Sequence, residues 1–197
     1  MDQETLLEKQ RYPRLGSVVF LRVNEPNGKL SNMNGKFPLT VNGIRIRTSE
    51  ALYQACRFPD YPEVQRLIID AKSPMAAKMA SKPHRKDKLR ADWERVHVDV
   101  MRWCLRVKLA QNFDAFGEEL SNTGKKPIVE ESSKRDGYWG TIPQDDGLLV
   151  GSNVLGKLLM ELRAEFNVPG DKNWLKTVQP LSIPNFRLMG EAIGVVG

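Results

Sequence analysis

Apolar residues change their spacing several times along this chain, and each change marks an expected element. Residues 1–15 are mostly polar and read as a lead-in. "SVVFLRV" (17–23) gathers β-branched residues and predicts a strand, closed by the turn-forming "NEPNGK". "FPLTVNGIRIR" (37–47) predicts a hairpin: an apolar run, the Asn42-Gly43 turn pair, then Ile44 and Ile46 in alternation. From Thr48 the period becomes helical. Thr48 or Ser49 can cap "SEALYQACRF", "PEVQRLIIDA" gives a short helix, and "SPMAAKMA" has Ser at the cap and Pro at the first helical position. "KPHRKDKLR" (82–90) reads as a basic connector. The strongest helical signal covers about 88–116, where Trp93, Val96, Val100, Trp103, Val107 and Ala110 recur at steps of three and four. Residues 121–150 read as a loop, and a last helix starts near Ser152 with Val154, Leu155, Leu158, Leu159 and Leu162 on one face. The tail carries Pro169, Pro180 and Pro184 and no sustained period.

These elements predict a mainly α, multihelical single domain with a small β element near the N-terminus. The alternating strand–helix units of a doubly wound sheet are missing from the pattern. Neither G-x-G-x-x-G nor G-x-x-x-x-G-K-[ST] occurs, so the common phosphate-binding fingerprints do not apply.

Composition narrows the function. Apolar residues make up 41% of the 197 and charged residues 27%, the balance of a globular chain with a real core. Thirty Lys and Arg against 24 Asp and Glu give +6, which favours a polyanionic partner or a phosphate-bearing substrate. Cys56 and Cys104 fall inside helical patterns without metal-ligand spacing and read as reduced thiols in the core. With His84 and His97 the only histidines, no His-rich metal site is expected, and no metal or cofactor is called for. The charged N-terminus lacks an apolar signal region, and no run reaches the eighteen apolar residues of a spanning helix. A cytoplasmic protein with no membrane contact is expected.

A few polar residues stand where chemistry could use them. Glu50 opens a helix whose other positions turn inward; on position alone it reads as a surface acid complementing the helix dipole. Lys108 lies one and two turns beyond Met101, Cys104 and Leu105. Such a lysine usually reaches to water, but a buried one can act as a nucleophile. Asp136 sits in "RDGYWG" (135–140) beside Tyr138 and Trp139, rings of the kind that stack on nucleobases. Asn153 can cap the last helix, whose start beside Gly151 also offers a phosphate cradle.

Six blocks in order resemble one family: "SNM" (31–33), "SEALYQACRF" (49–58), "SPMAAKMASK" (73–82), "DWERVHVDVMRWCLRVKLAQN" (92–112), "IVEESSKRDGYWG" (128–140) and "GSNVLGKLLMELR" (151–163). Together they are similar to the NADAR, or YbiA-like, family over residues 30–165. A family domain is thus expected at 16–167, between the 1–15 lead-in and a 168–197 extension. The resemblance implies a YbiA-like helical fold and an N-glycosidase that cleaves a ribose C1–N bond. One family branch acts on ribosylamino-pyrimidine intermediates of riboflavin synthesis. Another removes ADP-ribose from guanine bases and so reverses DarT-type modification of DNA.

By this resemblance Glu50, Lys108 and Asp136 are the catalytic group. Ser31, Asn32, Tyr53, Trp93, Tyr138, Trp139, Gly140 and Asn153 bind substrate. Met33 stands where the family has an aromatic, and either Glu130 or Glu131 matches the acid ahead of Asp136. Cleavage through an oxocarbenium-like state wants a carboxylate near C1 and a way to protonate the leaving base. Glu50 would serve C1 or activate water, and Asp136 would position the ribose or base. Lys108 would stabilise charge or form a Schiff base, and the rings would wall the pocket. The basic segments "KPHRKDK" and "SSKR" favour ADP-ribosylated guanine in nucleic acid over a phosphorylated ribosyl-base. A non-catalytic binder of ADP-ribose or nucleic acid is the alternative from another class.

Overall fold

A computed structural model describes residues 3–132 and 137–197. In chain order it contains α1 (Gln3–Leu7), β1 (Gln10–Pro13), β2 (Val18–Phe20), β3 (Leu39–Val41), β4 (Ile44–Ile46), α2 (Ser49–Ala55), α3 (Pro62–Ile69) and α4 (Pro74–Ser81). There follow α5 (Trp93–Gln111), α6 (Phe113–Ser121), β5 (Ile128–Glu130), β6 (Ile142–Pro143), β7 (Leu148–Gly151), α7 (Val154–Phe166), β8 (Arg187–Leu188) and β9 (Glu191–Ala192).

The expectation of a mainly α fold is overturned. Helical turns account for 43% and extended backbone for 16%, a mixed α/β architecture with several small sheets. Much of the β content escapes pattern reading because the strands are two to four residues long and two of the pairings, β1 with β7 and β2 with β5, join distant parts of the sequence. β1 pairs antiparallel with β7, so that Tyr12 faces Leu149, and β6 extends that sheet. β2 pairs parallel with β5. No run of four residues can display a period against which to judge it. Thus the polar lead-in holds both a helix and a strand, and the expected loop at 121–150 holds three strands.

The chain divides into two units, each assembled from separate segments. The first comprises the described residues of Met1–Ser31 and Asp114–Gly170; the second is Asn32–Phe113 with Asp171–Gly197. In the first, Tyr12, Val129 and Leu149 pack together from three strands, with Val19 against them. Lys157 of α7 is buried and donates to the carbonyls of Thr5, Leu6 and Glu8 (2.9, 3.1 and 2.8 Å). Those are among the last carbonyls of α1 and just beyond, groups a helix of five residues cannot satisfy internally. One ammonium therefore ties the short N-terminal helix down.

In the second unit local chemistry acts as the pattern foretold. Asn42 and Gly43 take φ of 49° and 72°, the pair of positive values a type I′ turn needs between β3 and β4. Thr48 Oγ1 accepts from Ala51 N at 3.1 Å and caps α2, and Ser73 does the same for Ala76 N ahead of Pro74 in α4. The long helical signal is cut at Asn112, whose backbone leaves the helix (φ −129°, ψ 45°). Its Nδ2 donates to the carbonyls of Pro38 and Lys108. An asparagine that competes for backbone groups in this way ends a helix.

The tail is part of this second unit. Trp103 Nε1 donates to the Gln179 carbonyl at 3.0 Å, and its ring meets Phe186 edge-on at 4.9 Å. Gln65 grips the backbone of β8 and its turn, donating to the Arg187 carbonyl and accepting from Met189 N. Prolines suppressed any period here, yet Leu175, Val178, Phe186, Leu188, Ile193 and Val196 are all buried.

Candidate active site

Within the second unit, Glu50 is not the surface acid its position suggests: it is 4% exposed. Its two carboxylate oxygens each accept one bond from a neutral amide. Asn32 Nδ2 donates to Oε2 at 2.6 Å, and Gln54 Nε2 donates to Oε1 at 2.8 Å. The Asn32 carbonyl also accepts from Glu50 N (2.9 Å) and Ser49 Oγ (3.1 Å), filling donors at the open end of α2. Gln54 is oriented in turn. Its Oε1 accepts from Ser81 Oγ (2.8 Å) and Arg85 Nη2 (3.2 Å), so its NH2 must face the carboxylate. No ion pair to Glu50 occurs among the described residues. The amides fix the carboxylate without cancelling its charge.

α5 passes beside this acid. Met101 Sδ lies 3.9 Å from Asn32 Nδ2. Burial, with contributions from Cys56 and then Glu50, pushes the Cys104 thiol well above its ordinary pKa, and both cysteines are free and buried. One turn further on, Lys108 is 1% exposed, not extended to water, and its Nζ stands 4.9 Å from the centroid of the Phe37 ring. A buried aromatic thus lies four residues past Met33, the position at which the resemblance expects a ring.

Tyr53 and Trp93 are also buried and touch each other, with centroids 5.1 Å apart and planes at 54°. The second unit therefore brings together Asn32, Glu50, Tyr53 and Trp93, with Lys108 on the helix alongside. It adds Gln54, Ser81, Arg57 and Arg85, which the motif reading did not single out. The signal was present. Glu50, Tyr53, Gln54 and Arg57 fall at +0, +3, +4 and +7, one face of a helix and the turn that ends it.

The first unit holds the remaining residues. Ser31 is buried, with its N–H on the Gly28 carbonyl at 3.2 Å. Asp136 lies outside the described residues, as do residues 133–135 of the "SSKR" segment. Tyr138 and Trp139 are half-buried and meet edge to face, centroids 5.3 Å apart at 81°. Backbone carbonyls from residues 137–140 cap α7: Gly137 O accepts from Ser152 N, Tyr138 O from Val154 N, Trp139 O from Leu155 N and Gly140 O from Asn153 N (2.7–3.2 Å). The helix start that offered a phosphate cradle is thereby filled by the protein's own loop.

Asn153 supplies no side-chain cap. It is fully buried in a left-handed conformation (φ 50°), where Asn is tolerated. Both ends of its amide bind β5: Nδ2 donates to the Ile128 carbonyl at 2.8 Å and Oδ1 accepts from Glu130 N at 3.0 Å. Gly140 is required by contact, since a Cβ there would sit 2.6 Å from the Glu130 carbonyl oxygen. Of the two neighbouring acids, Glu131 is held by Arg14 at 2.6 Å. Among the described residues no cluster of His, Cys, Asp or Glu could hold a metal ion, and no helix is long and apolar enough to cross a membrane.

Comparison with known proteins places these residues in context. A family model described as the NADAR domain matches residues 19–167. The N-glycosidase YbiA of Escherichia coli (strain K12) is 35% identical over 153 residues, covering 77% of this chain and 89% of that protein. A riboflavin biosynthesis protein of Vibrio vulnificus (strain YJ016) is 31% identical over 169 residues, or 85% of this chain. The chain spans only 43% of that relative's length. The NMR structure of E. coli YbiA superposes with a TM-score of 0.60 at 33% identity, covering 79% of this chain and 90% of that one. Residues 171–197, which complete the second unit, lie beyond the family match.

Proposed function

The chain belongs to the NADAR family, and from that premise we propose that it is an N-glycosidase in which Glu50 serves the cleavage of a ribose C1–N bond. The observation that carries this reading is the buried, amide-held carboxylate. An oxocarbenium-like transition state develops positive charge at C1, and a nearby anion stabilises it only if that anion is not already neutralised. Asn32 and Gln54 orient both oxygens while each oxygen keeps a second acceptor position. Glu50 can therefore face C1, or take a proton from an attacking water. Lys108, buried on the adjacent helix, stabilises developing negative charge or attacks an opened C1 as an amine. Trp93 and Tyr53 supply apolar walls.

For the substrate, we favour ADP-ribosylated guanine in nucleic acid. Support comes from the basic run that follows α4, where Lys82 and Lys86 are exposed and His84 and Arg85 half-exposed. The second reading, a phosphorylated ribosylaminopyrimidine, is supported by the Vibrio relative, which is named a riboflavin biosynthesis protein. The two separate in one experiment. The full chain is incubated with ADP-ribosylated guanine DNA and with the ribosylaminopyrimidine phosphate, and freed base and sugar are followed by chromatography. Release from the DNA, weakened by added salt, is expected. Release from the pyrimidine compound alone replaces the first substrate with the second, and release from neither removes the N-glycosidase assignment.

A further inference from the structure

Arg57, which is half-buried, differs from the buried Arg90. Arg90 forms a bidentate pair with Asp92 (Nε–Oδ1 2.6 Å, Nη2–Oδ2 3.0 Å) and also donates to the Pro184 carbonyl. Arg57 has no carboxylate within ion-pair distance among the described residues. Its guanidinium carbon lies 4.4 Å from the Trp93 ring centroid and 5.1 Å from that of Tyr53, and its buried Nε has no hydrogen-bond partner. Rings hold a guanidinium flat and dry, but they accept none of its directional N–H bonds. Burial, foremost, pushes the Arg57 pKa below its ordinary value. The charge of Arg85 adds to this, while Tyr53, Glu50 and Glu94 oppose it.

Arg85 repeats the pattern. One of its nitrogens donates to Gln54 Oε1 and Ser81 Oγ, yet its buried Nε also lacks a partner. Two guanidinium groups close enough to repel each other, each with a buried Nε that lacks a partner, cost free energy unless an anion comes to them. Gln54 links Arg85 to Glu50 by hydrogen bonds at both ends of one amide.

We propose that Arg57 and Arg85, backed by Tyr53 and Trp93, form an oxyanion subsite beside Glu50 that takes a phosphate group of the substrate. The tetrahedral oxygens of a phosphate match the forked donors of two guanidinium groups. That the phosphate belongs to a ribosyl substrate rests on the N-glycosidase reading; the subsite itself does not. It also gives the carboxylate a fixed partner: a phosphate gripped at Arg57 sets how far the sugar carbon lies from Glu50.

Inorganic phosphate is the probe, added to the full chain while the indole N–H signals of the tryptophans are followed by NMR, with Trp93 assigned through Trp93→Phe. A saturable shift of the Trp93 signal is expected. Its midpoint should rise at least tenfold in Arg57→Met and less in Arg57→Lys, which keeps the charge but loses the fork. Thermal melting checks that each variant is folded, and Arg85→Gln provides a second weakened variant should Arg57→Met not fold. An unchanged midpoint in the folded variants, or no saturable shift in the parent, overturns the subsite. Phosphate binding as described with neither ribosyl compound cleaved upholds the subsite and removes the glycosidase reading. Cleavage with phosphate midpoint and KM unaltered by Arg57→Met does the reverse.

Discussion

Asn32 holds Glu50 twice: its main-chain carbonyl accepts from the Glu50 N–H at 2.9 Å, and its side-chain Nδ2 donates to Glu50 Oε2 at 2.6 Å. The backbone bond places the first turn of α2, and the side-chain bond then aims the acid. One residue eighteen positions away thus contributes to both the position and the orientation of the carboxylate, which Gln54 holds from its other oxygen. This arrangement explains how a buried acid can open a helix with no counter-ion among the described residues: the helix dipole and two amides support it.

Glu50→Gln keeps the size of the side chain and removes its charge. Turnover of the cleaved substrate should fall by about 100-fold or more, the scale of a lost acid–base or electrostatic group. The comparison is kcat for parent and variant, with circular dichroism confirming the fold. Full turnover by a folded variant ends the role assigned to Glu50.

Gln54→Leu removes the donor to Glu50 Oε1 and the acceptor for Ser81 and Arg85 together. Leaving these buried groups short of partners should cost about 2 kcal/mol, read as a lower urea midpoint at unchanged slope. A midpoint equal to the parent's would mean that the network carries no stability.

Gly140→Ala drives a Cβ to 2.6 Å from the Glu130 carbonyl oxygen, a backbone atom that cannot swing away as the end of a side chain could. A loss of about 2 kcal/mol or more is expected from overpacking. Gly35→Ala is the control, because nothing lies within 4 Å of a Cβ there and its backbone does not require glycine. Equal stability of the two variants contradicts the contact argument.

Asp92 contributes a pH dependence of known sign. The hydrogen bonds from Arg90, foremost, lower its pKa below the ordinary carboxylate value, and the Arg90 and Arg95 charges add to this. A depressed folded-state pKa gives stability that is complete above the unfolded value, near about pH 4, and is lost as pH falls through the folded one. Asp92→Asn should lower stability at neutral pH by on the order of 2 kcal/mol, because Arg90 loses its charged partner. The variant's stability should also fall less steeply than the parent's below about pH 4. Parallel acid limbs in the two proteins would place the pH dependence elsewhere.

How far the sequence could be read follows from the range of each interaction. The Asn42-Gly43 turn, the Thr48 and Ser73 caps and Pro74 were legible because each acts on residues within a few positions. The family blocks made the site residues visible as types, but not their burial. Local spacing put Glu50 and Lys108 at the surface, and only tertiary packing sets them at 4% and 1% exposure. Strand β1 was hidden because its partner β7 lies more than 130 residues on, where Gln10 meets Gly151. Arg57 was within reach, since its spacing from Glu50 and Tyr53 already set it on their face; what could not be read was that no described acid pairs with it.

The loop over α7 has a kinetic meaning beyond its contacts. Carbonyls of four consecutive residues, Gly137 to Gly140, each take one N–H from residues 152–155. Peeling back any one of them would strand a helix donor while the next still holds the chain in place. Release is therefore cooperative, like a zip fastener whose teeth part only as a row. Tyr138 and Trp139 ride on that row, so their rings shift together, and hydrogen exchange at the amides of residues 152–155 should report the opening as a single event.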